Sequence, residues 1–176
     1  MNKNLLKTIL AALFLSLGIV LPLFTSQIKE IGDTLLPMHI PVMLCGIICG
    51  PWYGLCVGLL TPLLKSILFT MPPIYPSAVW MATELATYGL ILGLLYYKSK
   101  HKTIGRLYFS LAAAMLAGRI IWGITKSVLL GLSGKAFPIM AFITGGFLDS
   151  ALGIVLQFIL IPTIVYTLEK IKRLRT

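Results

Sequence analysis

The sequence predicts an all-α integral membrane protein of six transmembrane helices, with its N and C termini cytoplasmic. Three observations carry this prediction. Hydrophobic residues make up 58% of the chain and charged residues only 11%, with a mean hydropathy of +0.96, a composition foreign to soluble globules and to disordered chains. At about 20 residues per crossing plus short loops, 176 residues hold six spans as a single membrane domain, 1–176, with no separate soluble domain. The net charge of +10 is also unevenly placed. Lys3 and Lys7 mark the start of the first span, Lys98, Lys100, Lys102 and Arg106 share one short loop, and Lys170, Lys172, Arg173 and Arg175 close the chain. Such clusters are cytoplasmic anchors of the positive-inside kind and no sign of nucleic-acid binding.

Span one runs from about Leu5 to Phe24. Two lysines before an apolar run resemble a secretory signal, but no small-x-small cleavage site follows, so the stretch reads as a retained helix. The polar segment Thr25–Thr34, with Lys29, Glu30 and Asp33, leads into an apolar stretch from Leu35 to Leu64. That stretch exceeds one ordinary helix, and Gly50-Pro51 interrupts it. Read as one crossing, it sends the Lys98–Arg106 loop outside. Read as a hairpin turning at Gly50-Pro51, it leaves ten of the fifteen Lys and Arg on one side and only Lys29 and Lys135 on the other. The hairpin is therefore expected, with a short span two over Met38–Cys49 and span three over Trp52–Met71. An outer loop, Met71–Ser77, follows. Span four covers about Ala78–Tyr97, span five Leu107–Leu130, and Gly131–Pro138 makes an outer turn. Span six starts near Ile139 and continues to about Leu168, longer than a bilayer requires and so tilted or projecting. Neither a repeat nor a low-complexity segment is present.

Five ionisable residues lie inside these spans: Lys65, Glu84, Arg119, Lys126 and Asp149. A charge at the bilayer centre costs at least roughly 2.5–3.5 kcal/mol on insertion scales, so all five are expected to face the protein interior. In this topology they fall at mid-depth or in the outer half, which reads as a polar pocket opening outward. The competing reading is charge pairs that hold helices together. Trp80, Glu84 and Tyr88 recur every four residues and share a helix face, and Arg119, Trp122 and Lys126 do the same at spacings of three and four. Asp149 and Gln157 flank Gly153 on a further face, with Gly145 and Gly146 one turn outward. Aromatic walls with a few convergent polar groups describe a small-molecule site. Tyr75 instead suits an outer aromatic belt. The intramembrane charges sum to +1, so one basic group is left to meet an anionic ligand. His39 opens the short second span at a depth that suits a pocket rim or a structural role.

Span one carries no embedded charge and places Ala12 and Ser16 at small-xxx-small spacing, a face for a helix of this chain or of a partner. Cys45, Cys49 and Cys56 lack a second Cys/His pair and read as buried small residues, with no metal and no cofactor implied. Enzyme signatures are missing. Gly131-Leu-Ser-Gly-Lys135 has the wrong spacing for a phosphate loop, and neither H-E-x-x-H nor G-x-S-x-G occurs.

The whole chain resembles the substrate-binding (S) components of energy-coupling factor (ECF) vitamin transporters. The resemblance rests on length, span count and the small-residue first helix. More specifically it rests on the block Leu36-Pro-Met-His-Ile-Pro-Val-Met-Leu-Cys-Gly46 running into Gly50-Pro-Trp-Tyr-Gly54, and on Pro72-Pro-Ile-Tyr-Pro76 with Glu84-Leu-Ala-Thr-Tyr-Gly89. It implies a bacterial cell-membrane importer that captures a water-soluble vitamin outside. That importer docks on a membrane coupling protein driven by two ATP-binding subunits. It also implies docking through Ala12 and Ser16, a lid over Gln27–Met38, and ligand contacts from Trp80, Glu84, Arg119, Trp122, Lys126 and Asp149, to which depth and helix face add His39 and Tyr88 as candidates. Pantothenate is the first candidate ligand because the surplus basic charge suits a carboxylate, with pyridoxine-type, thiamine-precursor, folate and riboflavin ligands left open. Two rivals come from other classes: a stand-alone ion-coupled carrier using Glu84 or Asp149, and a membrane-embedded enzyme using that acidic pair.

Overall fold

A computed structural model describes residues 2–25, 36–134 and 137–174, with side chains up to residue 170 apart from Thr25. Among them the chain is all-α: α1 (Lys3–Thr25), α2 (His39–Cys49), α3 (Pro51–Phe69), α4 (Val79–Leu92), α5 (Ile104–Leu132), α6 (Ile139–Ile143) and α7 (Ala151–Leu174). A kinked turn at Ile74–Ala78, with extended backbone at Tyr75, precedes α4, a wide π-type turn at Gly93–Tyr97 extends it, and another follows α6 at Thr144–Leu148. Five stretches are long and apolar enough to cross a membrane: Lys3–Phe24, Pro51–Phe69, Ile74–Tyr97, Ile104–Leu132 and Ala151–Lys170. The polar segment around Lys29, Glu30 and Asp33, most of the expected lid, Lys135 and the side chains of Lys172, Arg173 and Arg175 lie outside the described residues.

The α2–α3 hairpin forms where Gly-Pro requires it. Gly50 takes φ +109°, open to glycine and strained for other residues. Pro51 then occupies the first turn of α3, where its missing N–H costs nothing. The helix α2 rises only about 17 Å at 1.5 Å per residue, too short for a bilayer core of about 30 Å. Nine of its eleven residues are buried, the mark of a central helix, and it packs on α1, α3, α4 and α7.

The tightest packing joins α3 to α4, and there the reason is glycine. A Cβ on Gly89 would collide with the Gly54 carbonyl, and one on Gly46 would meet the Gly89 carbonyl. Backbone-to-backbone approach of this kind is how helices associate where no hydrophobic force favours it.

One end of the bundle collects the basic residues. Lys7 of α1 and Lys102 before α5 both lie over the Tyr97 ring, at 5.1 and 5.8 Å from its centroid. The Gly50 turn packs against that same ring, and Tyr96 donates to Glu169 of α7 at 3.0 Å. The start of α1, the α2–α3 turn, the end of α4 and the end of α7 therefore share one end, the arrangement the hairpin reading requires.

Two expectations need correction. The last span is not one helix from Ile139 to Leu168, because turns at Asp149 and Ser150 separate the Thr144–Leu148 segment from α7. The wide turn there takes up an extra residue and shifts the helical register. Cys45 and Cys49 are buried as expected, but Cys56 is exposed on α3.

Candidate functional site

Glu84, midway along α4, is the centre of a buried polar cluster. It is 2% exposed, and its Oε1 takes three approaches. Tyr88, one turn further along α4, donates its hydroxyl at 2.7 Å. The Arg119 guanidinium reaches in from α5 at 3.0 Å. His39 Nε2, at the start of α2, stands 3.8 Å away. Arg119 turns its other terminal nitrogen to Ser150 Oγ at 2.8 Å, and Ser150 donates onward to the Gly146 carbonyl at 3.0 Å. The cluster thus ties α2, α4, α5 and the turn before α7 together through groups that cannot find water.

Room for it comes from glycine. Gly118 lies against Tyr88, and any Cβ there would overlap the phenol ring. His39 is the unfinished member. It is 2% exposed, its ring sits 5.5 Å from that of Tyr88, and neither ring nitrogen has a hydrogen-bond partner among the described residues.

A second group adjoins the first along α4 and α5. The Lys126 ammonium sits 4.5 Å from the centroid of Trp122, 4.9 Å from Phe137 and 5.2 Å from Trp80. Three ring faces turned to one cation make a cage whose π-electrons attract it, and the Asp149 carboxylate also acts on it from outside the cage. No carboxylate among the described residues forms an ion pair with Lys126. Trp122 is buried and stands edge-on to Phe137, and a Cβ added at Gly145 or Gly146 would just reach its indole. Thr83 donates to Thr125 at 3.1 Å and pins α4 to α5 at the same level.

The eight sequence-predicted contact residues therefore divide. His39, Glu84, Tyr88 and Arg119 meet in one buried network. Trp80, Trp122 and Lys126 meet in the aromatic cage. Asp149 is exposed at the break before α7, with its carboxylate near Gly145, and the residue of this stretch that reaches Arg119 is Ser150. Sequence reasoning missed Ser150 because an unbroken helix puts Asp149 on the inner face. The Gly145-Gly146 pair just before it was the available signal for a local change of register. Phe137 was missed because it lies in a connection, outside any helical periodicity. Of the remaining embedded charge, Lys65 is half-buried on α3. Gln157 is buried on α7, and its amide nitrogen has no partner among the described residues.

Ala12 and Ser16 are elsewhere. Both are exposed on α1, with Ser16 donating to the Ala12 carbonyl at 2.9 Å. Ala11, Phe14 and Gly18 take the inward face, Gly18 lying against Thr61 of α3. Among the described residues, nothing packs closely over the small-residue pair.

Residues 6–168 match a family model described as ECF transporter, substrate-specific component. Neither a curated protein nor a solved structure gives a match.

Proposed function

The chain belongs to the substrate-specific components of ECF transporters, and on that premise we propose that it captures a water-soluble vitamin or vitamin precursor with high affinity from outside the cell. The captured ligand is handed inward by reorientation of the whole body in a bacterial cell membrane. The work is supplied by a membrane coupling protein and two ATP-binding subunits. The role is binding and not catalysis. Six spans with both termini cytoplasmic fit the basic end of the bundle under the positive-inside rule.

The observation that carries the ligand reading is Lys126, an ammonium ringed by Trp80, Trp122 and Phe137 and without an ion-pair partner among the described residues. A carboxylate or other anionic group on the ligand would complete it, and the indole walls would cover the body of the ligand. Pantothenate, which carries a carboxylate, is the first candidate. Arg119 is already held by Glu84 and Ser150, so its part is to fix the floor of the site together with Tyr88 and His39. Asp149 stands at the rim, and the lid role falls to the segment 27–38, most of which lies outside the described residues. A stand-alone carrier coupled through Glu84 has less support, because that carboxylate already accepts from Tyr88 and pairs with Arg119.

The exposed Ala12–Ser16 face of α1 is the docking surface for the coupling protein. Ala12→Trp is expected to abolish uptake in cells carrying the full transporter while the purified chain binds its ligand with unchanged affinity. Loss of ligand binding as well would show that this face serves the fold and not a partner. Uptake that survives deletion of the ATP-binding subunits and collapses with the ion gradient would replace the ATP-driven reading with the carrier.

A further inference from the structure

The basic end of the bundle contains a second charged cluster that the capture site does not use. Its centre is Tyr97, half-buried at the end of the Gly93–Tyr97 turn. Lys7 Nζ approaches this ring from α1 at 5.1 Å, and Lys102 Nζ approaches it from the connection to α5 at 5.8 Å. Lys102 is also 5.8 Å from the Tyr96 ring. The Tyr53 hydroxyl of α3 lies beside Lys7's neighbour Thr8, at 3.2 Å from its Oγ1, and Gly50 closes the floor. Two ammonium groups from distant parts of the chain thus converge on one aromatic surface.

Among the described residues, charge at this end is not balanced. Lys3, Lys7, Lys98, Lys100, Lys102, Arg106 and Lys170 belong to helix ends or connections here, and Glu169 is the one acidic side chain among the described residues of these segments. Glu169 accepts from Tyr96, and neither Lys7 nor Lys102 forms an ion pair with any described carboxylate. No described carboxylate supplies a counter-charge to these two ammonium groups. The helices around the cluster are bare to the bilayer: Leu6, Ile9 and Leu13 are exposed on α1, Leu94 at the end of α4, and Ile104 and Phe109 on α5. A ligand suited to both features has an anionic head and aliphatic tails. A free phosphate would use only the first.

We propose that Lys7, Tyr97 and Lys102 form a binding site for the phosphodiester headgroup of an anionic phospholipid. The two ammonium groups hold the phosphate, the Tyr97 ring orients them, and the acyl chains lie along the exposed flanks of α1 and α5. A lipid bound here joins the start of α1 to the α4–α5 connection at the end opposite the capture site, at the depth where anionic leaflets attract basic side chains.

The test is native mass spectrometry of the purified full-length chain released from detergent containing equal amounts of phosphatidylglycerol and phosphatidylcholine. Retention of phosphatidylglycerol is expected to exceed that of phosphatidylcholine at least tenfold. K7Q/K102Q is expected to erase the preference, whereas K98Q/K100Q, with the same change in net charge, is expected to keep it. Equal retention of the two lipids by the unmodified chain, or equal loss in both double variants, would overturn the site in favour of a diffuse basic surface. Competition by millimolar glycerol 3-phosphate would overturn it in favour of a free-phosphate site. Should K7Q/K102Q fail to fold, Tyr97→Leu decides. It keeps both charges and removes their platform, so loss of the preference supports the site and its persistence overturns it.

Discussion

Replacing Glu84 with alanine is expected to destabilise the protein by about 3–5 kcal/mol, the cost of breaking a buried ion pair by removing one partner. The reason is what the substitution leaves behind. Arg119 is 5% exposed, and without Glu84 its remaining partner is a neutral hydroxyl, Ser150. Tyr88 loses the acceptor for its buried hydroxyl at the same stroke. An uncompensated guanidinium inside an apolar bundle is worse than no charge at all. The double variant Glu84→Gln with Arg119→Met is therefore expected to recover much of the lost stability, since replacing both members of a buried pair by uncharged groups is often close to neutral. Thermal unfolding in detergent, followed by loss of monodisperse protein, reads both variants. A single Glu84→Ala chain as stable as the parent would show that the pair contributes nothing to the fold.

Lys126→Ala is expected to behave in the opposite way, sparing the fold and weakening ligand binding at least a hundredfold. At this partly exposed position each cation–π contact of the cage contributes about 0.5–1 kcal/mol, burial of the ammonium offsets part of that gain, and the ammonium has no ion pair among the described residues to abandon. Losing a charge-assisted bond to an anionic ligand would cost about 1.5–3 kcal/mol by itself, and the emptied cage would also lose its shape around the ligand. Titration calorimetry on the purified variant separates the two effects, because its melting temperature in the absence of ligand should remain within a few degrees of the parent. Normal affinity in a folded Lys126→Ala chain would remove the cage from the binding site.

These two residues show how far the sequence can be read. Both were legible as embedded charges on aromatic-rich helix faces, because an ionisable group in an apolar span must face protein and helical spacing says which neighbours it shares. What spacing does not reveal is which charges pair across helices. Glu84 and Arg119 are 35 positions apart, and only the packing of α4 on α5 brings them within 3.0 Å. The Gly50-Pro51 hairpin was likewise readable, since local backbone chemistry and the distribution of lysines agree on it. The break at Asp149–Ser150 was not. A wide turn inside an apolar stretch leaves hydropathy unchanged while moving the inner face by one residue, which is why Ser150 and not Asp149 meets Arg119. Phe137 escaped for a related reason: its contact with Lys126 is made by a connecting segment, where no periodicity predicts side-chain direction.

The central claim, that this chain is a capture protein for a small anionic micronutrient, is tested most directly by native mass spectrometry of the protein purified from cells supplied with mixed vitamins. The account predicts a single retained small-molecule mass, belonging to a compound with a carboxylate or other anionic group, that disappears in Lys126→Ala. A chain that carries no adduct, even after titration with each vitamin in turn, would contradict it.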